Sequence, residues 1–357
     1  MFKPLILLTA VIALAAPAPA RAQTSTTEAA RERARELADE KAERAREAAE
    51  AKADRAREAA EAKADRARDR AERDRDREAE RQERDRAGAL DTVVTFDAHG
   101  ALTVSCPGGS VIVTGSDRNE IKVRARTENG AIRFSSNGTR ATLEPSSGRG
   151  CSDGRFEVTV PMGTKVTATT WSGSINVRAV HGDIEAHAQS GDVQVKDAGD
   201  RLDIESLSGD VSIVGVKGET KVNTISGGIE LSAARGDVTA ETVSGDVELR
   251  DVIAKQVRIH TTSGDVSYSG SILDDGRYEF NTHSGELTLG LPSDIGAELS
   301  VSTFSGEIDS EFHITLKAGE HGIGAAQAKR LNFTLGRGTA RIVAETFSGA
   351  ITIQRRR

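Results

Sequence analysis

"SGDVQVKDAGDRLDIESLSGDVSIVGV", Ser190 to Val216, nearly superimposes on itself when shifted by eighteen residues. Ser-Gly starts recur at Ser172, Ser190, Ser208, Ser226 and Ser244, each eighteen apart, then at Ser263, Ser284, Ser305 and Ser348 as insertions lengthen the rows. A second glycine falls midway along several rows, at Gly182, Gly199, Gly218 and Gly236, so the working unit is about nine residues with two units per row. A fixed internal period of this kind signals stacked supersecondary units.

Within each unit apolar and polar residues alternate. Val193 and Val195 flank Gln194, Val211 and Ile213 flank Ser212, and Val247 and Leu249 flank Glu248. Period-two patterning marks half-buried strands. A single strand pair cannot bury its apolar face, whereas rows stacked on rows make a continuous aliphatic column. Gly supplies the φ > 0 corner, and Ser and Asp can bond nearby backbone. The corner tripeptides are Ser190-Gly191-Asp192, Ser208-Gly209-Asp210 and Ser244-Gly245-Asp246. Aromatics make up 3% of the chain, which predicts an interior filled by Val, Ile, Leu and Ala. The expected fold is all-β: a parallel β-solenoid, or β-helix-like stack, of about 18-residue coils, preceded by a long charged α-helix.

The flanking segments define the remaining organisation. Lys3, the apolar run Leu5–Ala16 and Ala20-Arg21-Ala22 read as a signal peptide over 1–22, with an uncleaved anchor as the alternative. The apolar run falls short of the roughly 20 residues that span a bilayer. No later segment is apolar enough to cross, so an exported chain without an integral membrane span is expected, periplasmic, on the cell surface or secreted. Residues 23–88 carry 19 basic and 20 acidic side chains. Alanines from Ala34 to Ala71 are spaced 4-4-3, an eleven-residue period that keeps one face aligned along a nearly straight helix. This block is read as a helical rod or coiled coil, roughly 90 Å long at ~1.5 Å per residue, a spacer with the capacity for self-association.

Residues 89–170 hold less regular strands such as "SVIVTG" and "RFEVTVP", expected to begin the same solenoid, and 171–354 hold the Ser-Gly-Asp rows. The insertion Phe312–Thr339 breaks the period and is expected to form a surface loop, and Arg355-Arg356-Arg357 is a basic tail. Cys106 and Cys151 suit one disulfide in an oxidising compartment, two free thiols being the alternative. From Ala89 onward the chain carries 27 basic and 35 acidic residues, which argues against a nucleic-acid surface.

The run "RFEVTVPMGTKVTATTWSGSINV", the Ser-Gly-Asp rows, "GELTLGLPSDIGAELSVSTFSGEI" and "GRGTARIVAETFSGAITIQ" together resemble the bacterial putative-adhesin family of β-strand-repeat proteins, a toastrack-like domain of unknown function. The resemblance covers roughly residues 90–354. It implies a β-solenoid in the cell envelope and supplies no catalytic residues.

Candidate sites have plain structural readings beside their functional ones. Arg235-Gly236-Asp237 spells an adhesion tripeptide but falls where the period demands a turn. Asp192, Asp210, Asp246 and Asp265, continued by Glu286 and Glu307, predict an acidic column along one edge; it is either a solvated corner or a Ca²⁺ site. The calcium β-roll pattern G-G-x-G-x-D is missing from the rows. Seven histidines show no metal-ligand spacing, although His181, His187, His260 and His283 could approach one another between coils. Trp171 is expected to pack at the first corner, and Asn137-Gly138-Thr139 to form a turn. No catalytic, cofactor or metal residue is assigned.

Two functions are weighed. The first is a non-enzymatic cell-envelope β-solenoid, an adhesin-like or scaffold module on a helical spacer, contacting an envelope protein or cell-wall polymer. The second is a carbohydrate-active β-helix enzyme acting on envelope polysaccharide. Such enzymes need paired carboxylates in a groove, whereas the acids here sit mostly at corners.

Overall fold

A computed structural model describes residues 26–128, 130–146, 151–312 and 329–356. The signal-peptide expectation for 1–22, His313, His321 and the centre of the 312–339 insertion lie outside the described residues. The chain divides into two units between Glu78 and Ala79. A helix runs Thr26–Ala87, 62 residues. Every side chain described between Glu40 and Arg75 is exposed, and Arg44–Glu40 and Arg68–Asp65 form i,i+4 and i,i+3 pairs.

The second unit is a stack of coils with two strands each. One strand of each coil joins a parallel array through Ile175–Val180, Val193–Ala198, Val211–Val216 and Ile229–Ser232. The other joins a second array through Lys165–Ser172, Ile184–Ser190, Arg201–Ser208, Glu219–Ser226 and Val238–Ser244. Pairing is in register across coils: Ser172, Ser190, Ser208, Ser226, Ser244, Ser263 and Ser284 align one above the next. Inward residues such as Val177, Val195, Ile204, Ile213 and Leu249 are fully buried, forming one column of apolar side chains. Every strand in the stack relies on its neighbours for both hydrogen bonds and burial.

The C-terminal coils depart from sequence order. Ser284 pairs with Ser348, and Ser348 with Ser305, so the coil that begins at Ser348 is inserted between the two before it. The reason is visible in Ala297–Ser305. One side of that strand takes the antiparallel strand Lys329–Leu335, and the other takes Ala340–Ser348 in parallel. Part of the 312–339 insertion is therefore a strand that covers an edge rather than a surface loop. The N-terminal end is closed similarly. Beyond Ala101–Ser105 lie Arg140–Pro145 and the antiparallel Ile132–Ser136. On the other array, Gly108–Ser116 is followed by Ser152–Pro161, then by Glu120–Arg126 and Ala89–Thr95 in antiparallel order. Antiparallel strands at the ends protect edges that would otherwise template aggregation.

Cys106 and Cys151 form a disulfide, both residues buried, across 45 residues of chain. Closing a loop of that length stabilises the fold by about 4 kcal/mol in the chain-entropy model. A Cβ on Gly154 would lie 2.4 Å from the Cys151 sulfur, so glycine there is what admits the bridge.

The aliphatic column gives way to aromatics in the longer coil that begins at Ser263. Tyr268, Tyr278 and Phe280 are fully buried, with Tyr268 5.1 Å from Phe280 and 6.2 Å from Tyr278 between ring centroids. Gly270 and Gly276 leave room for them; a Cβ on Gly270 would lie 2.4 Å from the Tyr268 hydroxyl. The expectation of an interior of Val, Ile, Leu and Ala fails at this coil and again at Phe96 and Phe156 near the N-terminal end, which are also buried.

Candidate functional site: an apolar ridge beside the serine-glycine corner

The corner is a column of glycines. Gly191, Gly209, Gly245, Gly264 and Gly285 have φ between 137° and 156°. A Cβ on Gly245 would lie 2.1 Å from the carbonyl oxygen of Gly227. The N–H of Gly191 donates to the Ser208 carbonyl, and that of Gly209 to the Ser226 carbonyl. The following acids form a second ladder: Asp192 Oδ1 accepts from the Asp210 N–H at 3.1 Å, Asp210 Oδ1 from the Gly228 N–H at 2.9 Å, and Asp246 Oδ1 from the Asp265 N–H at 2.8 Å. Asp265 Oδ1 accepts from the Glu286 N–H at 2.7 Å. These carboxylates are backbone acceptors, as expected of Asp at the corner, and the donor each one reaches lies on the next coil of the stack. Among the described residues no three His, Cys, Asp or Glu side chains come together as a metal site.

Two residues before each corner glycine's serine, a small side chain turns inward. The positions are Thr170, Ala188, Ser206, Thr224, Thr242, Thr261, Thr282, Thr346 and Thr303, and all are buried. Thr303 and Thr346 donate to the carbonyls of Gly349 and Gly285 at 3.1 and 3.5 Å, tying the strand end to the corner.

The residue between this ladder and the serine points out. In stacking order the column reads Trp171, Gln189, Leu207, Ile225, Val243, Thr262, His283, Phe347 and Phe304. All nine are exposed. Among them Trp171 is 59% exposed, Ile225 52%, Val243 50% and Phe304 55%. His283, Phe347 and Phe304 stack, with successive centroids 4.8 Å apart and planes within 9°. No position carries a formal charge in a chain that is 29% charged. The expectation that Trp171 packs into the corner is overturned: the inward slot is taken by Thr170, and alternation sends the indole outward. Shallow grooves flank the ridge, one beside Trp171, Leu207 and Ile225 bordered by His187 and Glu205, the other beside Phe304 and Phe347 bordered by Arg330 and Glu345.

The remaining sequence candidates are separate. His187 Nδ1 lies 3.1 Å from Glu205, His181 3.6 Å from Asp197, and His283 sits in the ring stack, with His260 lining the groove beside it. Gly236 of the Arg-Gly-Asp stretch has φ 141°, and Asp237 Oδ1 accepts from the Gln256 N–H at 2.9 Å, so the tripeptide is a coil turn. Asn137 Oδ1 caps the hairpin turn by accepting from Thr139 and Arg140. Lys165 sits 2.8 Å from Glu185; their hydrogen bond holds the Glu185 carboxyl below its ordinary range and raises Lys165. A concavity near the N-terminal edge is walled by the ion pairs Arg124–Asp91 and Arg155–Glu157, whose charges satisfy one another.

A stacked β-solenoid with glycine corners and closed ends is the class these features define. The Toastrack DUF4097 domain matches residues 102–354, and the chain belongs to that family. Similar solved structures include a putative adhesin from Bacteroides fragilis, 11% identical, covering 74% of this chain and 96% of that one at a TM-score of 0.36. A putative cell adhesion protein from Clostridium sporogenes is 10% identical, covering 75% and 100%, at a TM-score of 0.19. A putative adhesin from Parabacteroides merdae is 10% identical, covering 75% and 96%, at 0.25. None of the curated proteins matches the chain.

Proposed function

We propose that the protein is a non-enzymatic interaction module of the cell envelope, adhesin-like in action, with the apolar ridge as its contact surface. The observation that carries this reading is the ridge itself: Trp171, Leu207, Ile225, Val243, Phe347 and Phe304 are each 44% or more exposed and lie along one edge. With roughly half of each ~200 Å² side chain accessible, they present about 600 Å² of apolar surface. Gln189, Thr262 and His283 divide it into Trp171, the Leu207–Ile225–Val243 run and the Phe347–Phe304 pair. Their summed area is that of the largest apolar patch a typical monomer carries, a size often found at contact sites. Such a surface offers little to a reaction and much to a partner that buries it. The stack beneath it is hydrogen-bonded and buried from coil to coil, a preorganised scaffold that limits the ordering cost of recognition. The buried Cys106–Cys151 disulfide fits an oxidising compartment outside the cytoplasm. Among the described residues no helix is long and apolar enough to cross a membrane.

Cosedimentation with isolated cell envelopes tests the reading. The protein is expected to bind saturably, and Ile225→Glu combined with Val243→Glu to weaken binding at least tenfold with unchanged melting. Equal binding by the variant would remove the ridge from the interaction. Turnover of envelope polysaccharide, abolished by a single acidic substitution, would instead establish an enzyme.

A further inference from the structure

Ridge positions repeat at the strand spacing of about 4.8 Å, which makes the ridge a periodic edge roughly 40 Å long. Docking the whole length of such an edge asks for a partner with the same period, so that side chains of one fall between or upon those of the other. A second solenoid of identical pitch meets that demand without adjustment. We propose that the ridge docks against the ridge of a second copy of this chain about a two-fold axis; this rests on the ridge being the contact surface argued above.

Area agrees with this choice. Each ridge exposes about 600 Å² of apolar surface, so two ridges that cover each other fully reach about 1,200 Å² in total, the lower bound for a specific interface. Charge permits it: none of the nine ridge positions holds Asp, Glu, Lys or Arg, so the line of contact itself carries no formal charge, and Glu205, Arg330 and Glu345 lie in the flanking grooves. A two-fold axis through facing ridges has two settings. Parallel to the stack, it places each residue opposite itself, Trp171 on Trp171. Across the stack, it places Trp171 opposite Phe304, aromatic on aromatic. Val243 is fifth of nine and faces itself in both settings.

The full-length chain carrying Val243→Cys has one unpaired thiol, because Cys106 and Cys151 are bonded to each other. Under mild oxidation it is expected to form covalent dimer at least tenfold faster than Val214→Cys, an exposed position on the opposite array. Equal rates would overturn the proposal. Trp171→Cys distinguishes the settings, cross-linking to itself in the first and to Phe304→Cys in the second; failure of both would overturn a two-fold seam. In sedimentation, Ile225→Glu is expected to weaken self-association at least tenfold with melting unchanged. If Val243→Cys does not cross-link while Ile225→Glu with Val243→Glu still loses envelope binding, the contact surface stands and its partner is not a second copy. If envelope binding also survives those substitutions, the contact-surface reading falls with it.

Discussion

Gly209 sits directly on Gly191: a Cβ at position 209 would lie 2.3 Å from the Gly191 carbonyl oxygen, while the Gly209 φ of 137° is one that side chains rarely adopt. Space and conformation therefore exclude every other residue independently. The same relationship repeats between Gly227 and Gly209 and between Gly264 and Gly245 at 2.1 Å.

Gly209→Ala is expected to destabilise the solenoid by about 3 kcal/mol or more, combining backbone strain with a clash against main chain that cannot yield. Urea unfolding followed by far-UV circular dichroism measures it. Because each coil rests only on its neighbours, the loss should first appear as local opening of coils 190–226 in hydrogen exchange. A change below 1 kcal/mol would mean that coils are spaced more loosely than the corner distances require.

The opposite corner is built differently. Ala179, Asp197, Ala233 and Asp251 occupy left-handed conformations with φ of 53–55°, and Gly215, eighteen residues after Asp197, has φ 74°. No Cβ contact at Gly215 would be closer than 3.8 Å, so conformation alone matters there. Ala179→Gly is expected to stabilise the protein by about 0.5–1 kcal/mol net of the added unfolded-state freedom, and Gly215→Ala to destabilise it by a similar amount. Thermal melts of both variants check the paired signs; the same sign for both would refute the account.

These two corners show what the sequence made readable. The eighteen-residue period, the glycine column and the inward Val and Ile positions follow from aligning rows on Ser-Gly, because steric exclusion at the corner writes itself into every row. The mid-coil glycines, such as Gly199, suggested the second corner, but its left-handed residues are Ala179 and Asp197, and alanine carries no turn signature. The ridge was present in the same alignment, in the column before each serine, and reading only the residues after the corner missed it. The placement of Ser348 between Ser284 and Ser305 had no local signal, since strand pairing across more than forty residues depends on which edge is free.

Asp246 tests whether the acidic column is held together by its hydrogen bonds. Its Oδ1 accepts from the Asp265 N–H at 2.8 Å. Asp246→Asn keeps an acceptor oxygen and is expected to change stability by less than about 0.5 kcal/mol, whereas Asp246→Ala loses the bond and about 1 kcal/mol. Denaturant midpoints at low and high salt separate this from charge repulsion, which salt would screen. A stabilisation above 1 kcal/mol in Asp246→Asn at low salt would show that repulsion outweighs the ladder.

Tyr278 lies where the interior turns aromatic, and its hydroxyl links the backbone of two segments. It donates to the Ala254 carbonyl at 2.7 Å and accepts from the Leu273 N–H at 2.8 Å. Burial raises the phenol above its ordinary value, as it does for Tyr268. A folded-state value above the unfolded one means that the unfolded chain loses the proton first. The stabilising effect is therefore complete below the unfolded value of about 10 and declines as pH rises above it. Tyr278→Phe is expected to cost about 1–2 kcal/mol at neutral pH, because it leaves the Leu273 N–H and the Ala254 carbonyl without that partner. It should also make the loss of stability between pH 9 and 11.5 shallower than in the unsubstituted protein, since one of the two raised phenols is gone. Urea midpoints across that range decide it: identical alkaline slopes would place Tyr278 outside the titration, and an unchanged midpoint at neutral pH would show that the two backbone groups find other partners.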